Sequence, residues 1–254
     1  MSAPLIINTR PVNQARALTD LLQDNNFRVM ELPLIEINSI VATNRLPQIQ
    51  IDNSDFLVFI SANAVIFYFK YFILPAKAKI AVIGKSTAEI FAQYAGQKAD
   101  IIPDRGSDSE SLLSHKDLLA IEGLSIIIVR GKGGREYLAQ QLRERQAKVV
   151  YLETYIRACP KYEQKFLSDI WHKQTIGFMI ISSVESVENL LQLSQHFEHH
   201  ADVTKVLKTN LIVIHNKIKE KITKYGFFGK ILVPDTTSNL SIVQTLHQYY
   251  KATN

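Results

Sequence analysis

The 254-residue chain has one cysteine, Cys159, with only ten glycines and eight prolines. A single thiol excludes an internal disulfide framework and any zinc or iron–sulfur site built from several thiolates. It also fits a reducing compartment, the cytoplasm. The modest glycine and proline content excludes collagen-like and low-complexity classes. No uncharged apolar run reaches the roughly 18 residues of a membrane span, and Met1–Arg10 reads as the start of a strand, so neither a membrane segment nor a signal peptide is expected. Charge of one sign is scarce as well. Lys plus Arg is 29 against 24 for Asp plus Glu, a net charge of +5. Basic residues are scattered apart from Lys217, Lys219, Lys221 and Lys224, so the basic stripe that nucleic acid needs is missing. A small acidic ligand suits this balance better.

What is present is an ordinary globular composition, 46% apolar and 21% charged. Short apolar runs alternate with segments whose apolar residues recur at spacings of three and four, such as Ala15, Leu18 and Leu22. The predicted strands are Leu5–Asn8, Arg28–Glu31, Phe56–Ile60, Ile80–Ile83, Asp100–Ile102, Ile126–Val129, Val149–Leu152, Gly177–Ile181, Leu211–Ile214 and Ile231–Val233. Continuous apolar strands with helices between them predict an α/β fold with parallel sheets covered on both faces, of the Rossmann or flavodoxin kind.

The chain repeats itself in an unusual order. Residues 55–65 resemble 177–187, residues 80–103 resemble 211–234, and residues 125–155 resemble 4–34. The first unit thus completes a set whose other members lie at the far end. Two similar lobes follow: a discontinuous one from 1–34 plus 160–254, and a continuous one from 40–153. The crossings, 35–40 and 153–159, are both β-rich and are expected to pair as a two-stranded β linker. The rival account is the general self-similarity of α/β chains.

No strong catalytic signature appears. Gly131-Lys132-Gly133-Gly134-Arg135-Glu136 follows a strand and is read as opening a helix, either as an anion-binding turn with Arg130, Lys132 and Arg135 or as a plain turn. It lacks both the dinucleotide fingerprint and the P-loop pattern. Other strand-to-helix junctions carry hydroxyls and amides: Thr9-Arg10-Pro11, Ser61-Ala62-Asn63, Lys85-Ser86-Thr87, Ser107-Asp108-Ser109, Ser182-Ser183 and Thr237-Ser238-Asn239. Any one of these is explained as a helix cap. Together, at the carboxyl ends of strands, they form a surface suited to a polycarboxylate in a cleft between lobes. The histidines show no metal spacing. His199-His200 reads as a solvated face, and His115, His172, His196 and His247 as polar helical positions. His215 follows a strand and is open to two readings, cleft-facing or structural. Cys159, beside Pro160 in a crossing, is a bystander, and Glu185 and Glu188 are surface residues. Tyr155, at the start of the second crossing, is either a packing aromatic or a phenol at the back of the cleft.

At this point the chain resembles the uroporphyrinogen-III synthase family over nearly its whole length. The resemblance is carried by Thr9-Arg10-Pro11, Leu32-Pro33-Leu34-Ile35, Ile60-Ser61-Ala62-Asn63-Ala64-Val65, Val82-Ile83-Gly84-Lys85-Ser86-Thr87-Ala88 and Ser109-Glu110-Ser111-Leu112-Leu113. It continues through Val129–Leu138, Val150–Arg157 and Ile181-Ser182-Ser183. Each motif alone is loose; their order and spacing are specific. The resemblance implies two α/β lobes joined by a paired linker, and a lyase that closes hydroxymethylbilane to uroporphyrinogen III with inversion of ring D, through a spiro intermediate. It implies no metal or organic cofactor, a monomer, the small-molecule substrate as partner, and possible contact with the preceding pathway enzyme. It makes Tyr155 and Thr87 the catalytic candidates, with Tyr155 assisting departure of the hydroxyl or positioning the substrate. Arg10, Ser61, Asn63, Arg130, Ser182 and Ser183 match cleft-lining positions, and Lys85, Ser86, Thr237 and Ser238 join them from the other junctions. A second Gly-x-x-Thr-Ala found in some members has no counterpart at His215-Asn216-Lys217-Ile218, where Thr236, Thr237 and Ser238 are the substitutes. The rivals from other classes are a non-catalytic two-lobed protein for a small anion and a nucleotide-dependent transferase, the latter disfavoured by the missing glycine fingerprint.

Overall fold

The computed structural model describes residues 4–40, 46–195, 197 and 200–253. The strands are β1 (Leu5–Asn8), β2 (Arg28–Glu31), β3 (Glu36–Ser39), β4 (Phe56–Phe59), β5 (Lys79–Val82), β6 (Ser125–Gly131), β7 (Lys148–Ala158), β8 (Ile176–Ile181), β9 (Leu211–Val213) and β10 (Ile231–Leu232). The helices are α1 (Val12–Asp24), α2 (Gln48–Asp52), α3 (Ala62–Phe69), α4 (Lys85–Ala95), α5 (Ser109–Leu113), α6 (Tyr137–Glu144), α7 (Gln164–Lys173), α8 (Val184–Ser194), α9 (His200–Lys208), α10 (Asn216–Lys224) and α11 (Asn239–Thr253). No helix among the described residues is long and apolar enough to cross a membrane.

The chain divides into two compact units, one of Met1–Glu36 with Ala158–Asn254 and one of Ile37–Arg157. The first holds the sheet β10-β9-β8-β1-β2, the second the sheet β3-β7-β6-β4-β5. The pairings β1 to β2, β1 to β8, β8 to β9, β9 to β10, β4 to β5, β4 to β6 and β6 to β7 are all parallel. Both sheets are covered on both faces, as continuous apolar strands require. In the second unit, Ile127 and Val129 of β6 join one core with Phe59 and Phe91, while Ile126 and Ile128 join another with Leu138 and Leu142. In the first, Met179 and Ile181 face one core and Phe178 and Ile180 the other. Each such buried side chain contributes about 1.5–3 kcal/mol relative to exposure.

The permuted repeat is written into the topology. In the second unit the chain runs outward from β4 to β5, then returns to β6 on the other side and continues to β7. The first unit repeats this with β8, β9 and β10 on one side, and takes its last two strands, β1 and β2, from the N-terminus. Leu5 pairs with Arg28 and Ile126 with Val149, so partners are 23 residues apart in both (28 less 5 and 149 less 126).

Helix boundaries follow local chemistry. α1 buries Ala15, Leu18 and Leu22 on one stripe. α4 stops at Gly96, whose N–H makes the last helical bond, to the Ala92 carbonyl at 3.0 Å, and whose φ of 68° turns the chain out of the helix.

Two expectations are corrected. The segment 100–102 makes one parallel bridge, Ala81 to Ile101, and no strand. Pro103 follows at once and cannot donate to a ladder. The stretch 132–136 does not open a helix, because α6 begins only at Tyr137. The crossing segments are extended: β3 takes most of the first, the second is the end of β7, and the two strands are neighbours in one sheet.

Candidate active site

In an open parallel sheet the ligand crevice lies beyond the carboxyl ends of the strands, where connections leave in opposite directions. That point falls between β4 and β6 in the second unit and between β8 and β1 in the first. The residues following these strands are Ser61 and Asn63, the loop 132–136, Ser182 and Ser183, and Thr9 and Arg10.

In the second unit, Ser61 lies two residues past β4 in extended conformation, and its Oγ accepts the Ala64 N–H at 3.1 Å, capping α3. The same Oγ lies 3.1 Å from the Tyr155 hydroxyl. Tyr155 is 8% exposed and stacks on Phe67, with centroids 5.7 Å apart and planes at 27°. Lys70 Nζ sits 4.6 Å from the centre of the Phe67 ring. Gly131 lies against the Tyr155 ring: a Cβ there would stand 2.6 Å from Cε2 and Cζ. Asn63 is buried in the first turn of α3.

A register shift brings Tyr155 to this face. Arg130 pairs with Glu153, but Gly131 pairs with Tyr155, so Thr154 is an extra residue in β7. Thr154 is buried and its hydroxyl donates to the Arg130 carbonyl at 3.4 Å. An inserted residue reverses the alternation of everything after it. Tyr151 accordingly packs with the α6 core, while Tyr155 joins the opposite core beside Leu152.

Arg130 is 1% exposed and turned to the α6 face, away from Gly131. Its guanidinium serves its own loop. Nε donates to the Gly131 carbonyl at 3.1 Å, Nη1 to Glu136 at 3.0 Å, and Nη2 to the Gly133 carbonyl. Its plane covers the Tyr151 ring at 4.5 Å. Hydrogen bonds from Tyr151 and Arg130 hold the Glu136 carboxyl below its ordinary pKa. Gly133 and Gly134, at φ 75° and 105°, let the loop wrap the guanidinium. A cavity of about 270 Å³ adjoins it, floored by Ile60, Ile128 and Leu138, with Arg135 on its lining. Arg130→Ala is expected to lower stability by about 2 kcal/mol, the scale of a few charge-assisted bonds, with little recovery in Arg130→Lys, which lacks the fork. Denaturant unfolding checks this, and an unchanged midpoint counts against a bracing role.

Thr87 is buried in the first turn of α4, with Lys85 and Ser86 exposed before it. Gly84 precedes them because any Cβ there collides with the side chain of Ser107.

In the first unit, Thr9 donates to the Ile180 carbonyl at 2.6 Å and ties β1 to β8. Asn8, unremarked in the sequence, is buried; its amide donates to the Ala15 carbonyl at 3.0 Å and its Oδ1 accepts the Arg10 N–H at 3.3 Å. Arg10 Nη1 donates to Asn239 Oδ1 at 2.7 Å, and burial lowers the Arg10 pKa. Ser183 caps α8 through the Ser186 N–H at 3.1 Å, with Ser182 half-buried before it. Ser238 Oγ accepts the Ser241 N–H at 3.2 Å and pairs with Thr236 at 2.9 Å, while Thr237 is exposed.

His215 caps α10, its Nδ1 accepting the Lys217 N–H at 3.1 Å. The bond fixes His215 as the cap of α10, with the rest of its ring exposed. The four α10 lysines fall on the exposed side of that helix, with Ile218 and Ile222 buried. Cys159 is half-buried and burial pushes its thiol pKa up. His196 and His199 lie outside the described residues. No group of three His, Cys, Asp or Glu placed to hold a metal ion occurs among the described residues.

A family model described as "Uroporphyrinogen-III synthase HemD" matches residues 16–244. The uroporphyrinogen-III synthase of Proteus mirabilis is 31% identical over 196 residues, which covers 73% of this chain and 96% of that protein. The uroporphyrinogen-III synthase of Salmonella typhimurium is 27% identical over 252 residues, 95% and 99% of the two chains. Among solved structures, uroporphyrinogen-III synthetase from Helicobacter pylori aligns with a TM-score of 0.63 at 14% identity, covering 97% of this chain and 99% of that one. A mutant uroporphyrinogen III synthase from Thermus thermophilus aligns at 0.59 with 16% identity, covering 98% of each. At these identities the solved structures speak for the fold.

Proposed function

The chain belongs to the uroporphyrinogen-III synthase family, and from that premise we propose that it is a lyase closing hydroxymethylbilane to uroporphyrinogen III with inversion of ring D. The observation that carries the reading is the family match over residues 16–244. The switch-point chemistry supports it. The substrate bears an acetate and a propionate on each pyrrole. Neutral hydroxyls, helix N-termini and Arg10 recognise carboxylates without burying unpaired charge.

The reaction needs few groups. The lone pair of the first pyrrole nitrogen expels the hydroxyl, which leaves as water once it gains a proton, and an azafulvene cation remains. Attack by the substituted carbon of ring D gives a spiro intermediate. This fragments and recloses through the other α-carbon, which releases a proton. Holding the reacting ends together supplies roughly 7–11 kcal/mol of the barrier reduction. Tyr155 is the proton donor to the leaving hydroxyl, supported by its fixed phenol at the β6–β7 end. Thr87, Asn63, Ser182, Ser183 and Arg10 are the candidates for carboxylate contacts. Because the nitrogen supplies the electron pair, the step draws on no metal or organic cofactor. The setting proposed is the cytoplasm and the working form a monomer.

The test is an isomer analysis. Purified protein given hydroxymethylbilane is expected to yield the type III isomer after oxidation, whereas spontaneous closure yields type I. A product of type I alone rejects the synthase reading.

A further inference from the structure

We infer that Ser61 is a positioning residue that aims and polarises the Tyr155 phenol by linking it to the N-terminus of α3. The inference rests on the reading of Tyr155 as proton donor given above.

A serine oxygen has one proton and two lone pairs. Ser61 Oγ uses one lone pair for the Ala64 N–H, at 3.1 Å, and lies 3.1 Å from Tyr155 Oη. If the phenol donated to Ser61, its proton would be withheld from the substrate. In the other orientation Ser61 donates to Tyr155, and the phenolic proton stays free. The helix end favours that second orientation. An N-terminus carries about half a positive charge, so it stabilises negative charge displaced towards Ser61 as the phenol gives up its proton. The result is a directed chain from Ala64 N–H through Ser61 Oγ–H and Tyr155 Oη–H to the leaving oxygen, in which each bond polarises the next. The proton transferred to the hydroxyl departs in water as the C–O bond breaks. The phenolate formed is held by the Ser61 proton, and regains its own from the ring D carbon that loses a proton at closure.

The repeat supplies an internal control. Ser183 occupies the place of Ser61 in the first unit and makes the same cap, 3.1 Å from the Ser186 N–H. Its Oγ is paired with Ser186 Oγ at 2.9 Å. Aligning residues 4–34 with 125–155 sets Leu34, fully buried, at the place of Tyr155. Capping therefore needs no phenol. The second unit has added one to a cap that was complete without it, and its ring packs on Phe67 and against Gly131.

The experiment is a double-mutant cycle in the full chain. Glycine is nearly as good a cap as serine, so Ser61→Gly removes the hydroxyl while keeping α3. Ser61→Gly is expected to lower kcat about tenfold with KM within about twofold. Ser61→Thr restores most of the loss, and thermal unfolding confirms that all variants remain folded. In a Tyr155→Phe background, Ser61→Gly is expected to have no further effect on kcat. An unchanged kcat in Ser61→Gly overturns the inference, and so does an equal loss in both backgrounds, which would put Ser61 on the substrate or the cap alone. Either outcome leaves the synthase reading intact as long as the parent protein makes the type III isomer. Absence of that isomer from the parent would strike the function itself.

Discussion

Gly131→Ala is expected to remove about 99% of the turnover from a protein that still folds. The methyl carbon would stand 2.6 Å from Cε2 and Cζ of Tyr155 and 3.0 Å from its hydroxyl. Contact at that distance is not tolerated, and the ring cannot retreat freely because Phe67 stacks on it. The backbone at Gly131 is not in the left-handed region, so the requirement for glycine comes wholly from the aromatic ring. Crowding a packed site costs about 1–3 kcal/mol, which thermal unfolding will register as a modest fall. The larger effect is geometric: displacing a catalytic group by about 1 Å is enough to lose roughly a hundredfold in rate. Steady-state assay of the type III isomer alongside a melting curve separates the two effects. Parental turnover in a folded Gly131→Ala protein would show that the ring position has no bearing on the reaction.

Tyr155→Phe is expected to lower kcat by about a hundredfold, the lower end of what positioned proton transfer contributes. The substitution keeps the ring, its stacking on Phe67 and its fit against Gly131, and removes one oxygen. The loss of the bond to Ser61 costs about 1 kcal/mol of stability, since Ser61 retains its bond to Ala64. KM is expected to change little, because the carboxylate contacts are elsewhere. The residual product should still be type III, as the isomer is chosen by how the substrate is curled and not by the proton donor. Kinetics with isomer analysis measures both quantities. Unchanged kcat would take Tyr155 out of the reaction and leave the family and the fold as they are.

The strands at 5–8 and 28–31 were legible to the residue: the first as the buried apolar run Leu5–Ile7, the second only as Val29 and Met30 between charged, exposed ends. Caps at Ser61, Ser183 and Ser238 were legible for the same local reason. Arg130 was not. Read beside the glycines it allows an anion-binding turn or a plain one; the alternation along β6 sends it to the α6 face, where it braces the loop 131–136. The glycines themselves divide into two jobs that no local pattern distinguishes: Gly131 makes room for Tyr155, and Gly133 and Gly134 curl around Arg130. Phe67 carries no local signal, because its partner lies 88 positions away (155 less 67), at the end of another strand.

From its order of apolar runs and its permuted repeat, this chain already declares an α/β protein whose N-terminal strands complete a sheet built from its far end. Periodicity and repetition are properties of neighbours along the chain, and they survive without coordinates. The tertiary structure alone decided where the phenol goes. Counted by twos along β7, Tyr155 belongs with Tyr151 on the Arg130 side. The extra residue at Thr154 turns it to the other face, over Gly131 and against Ser61. A bulge is a mismatch between two paired strands, so neither strand encodes it until both are in place.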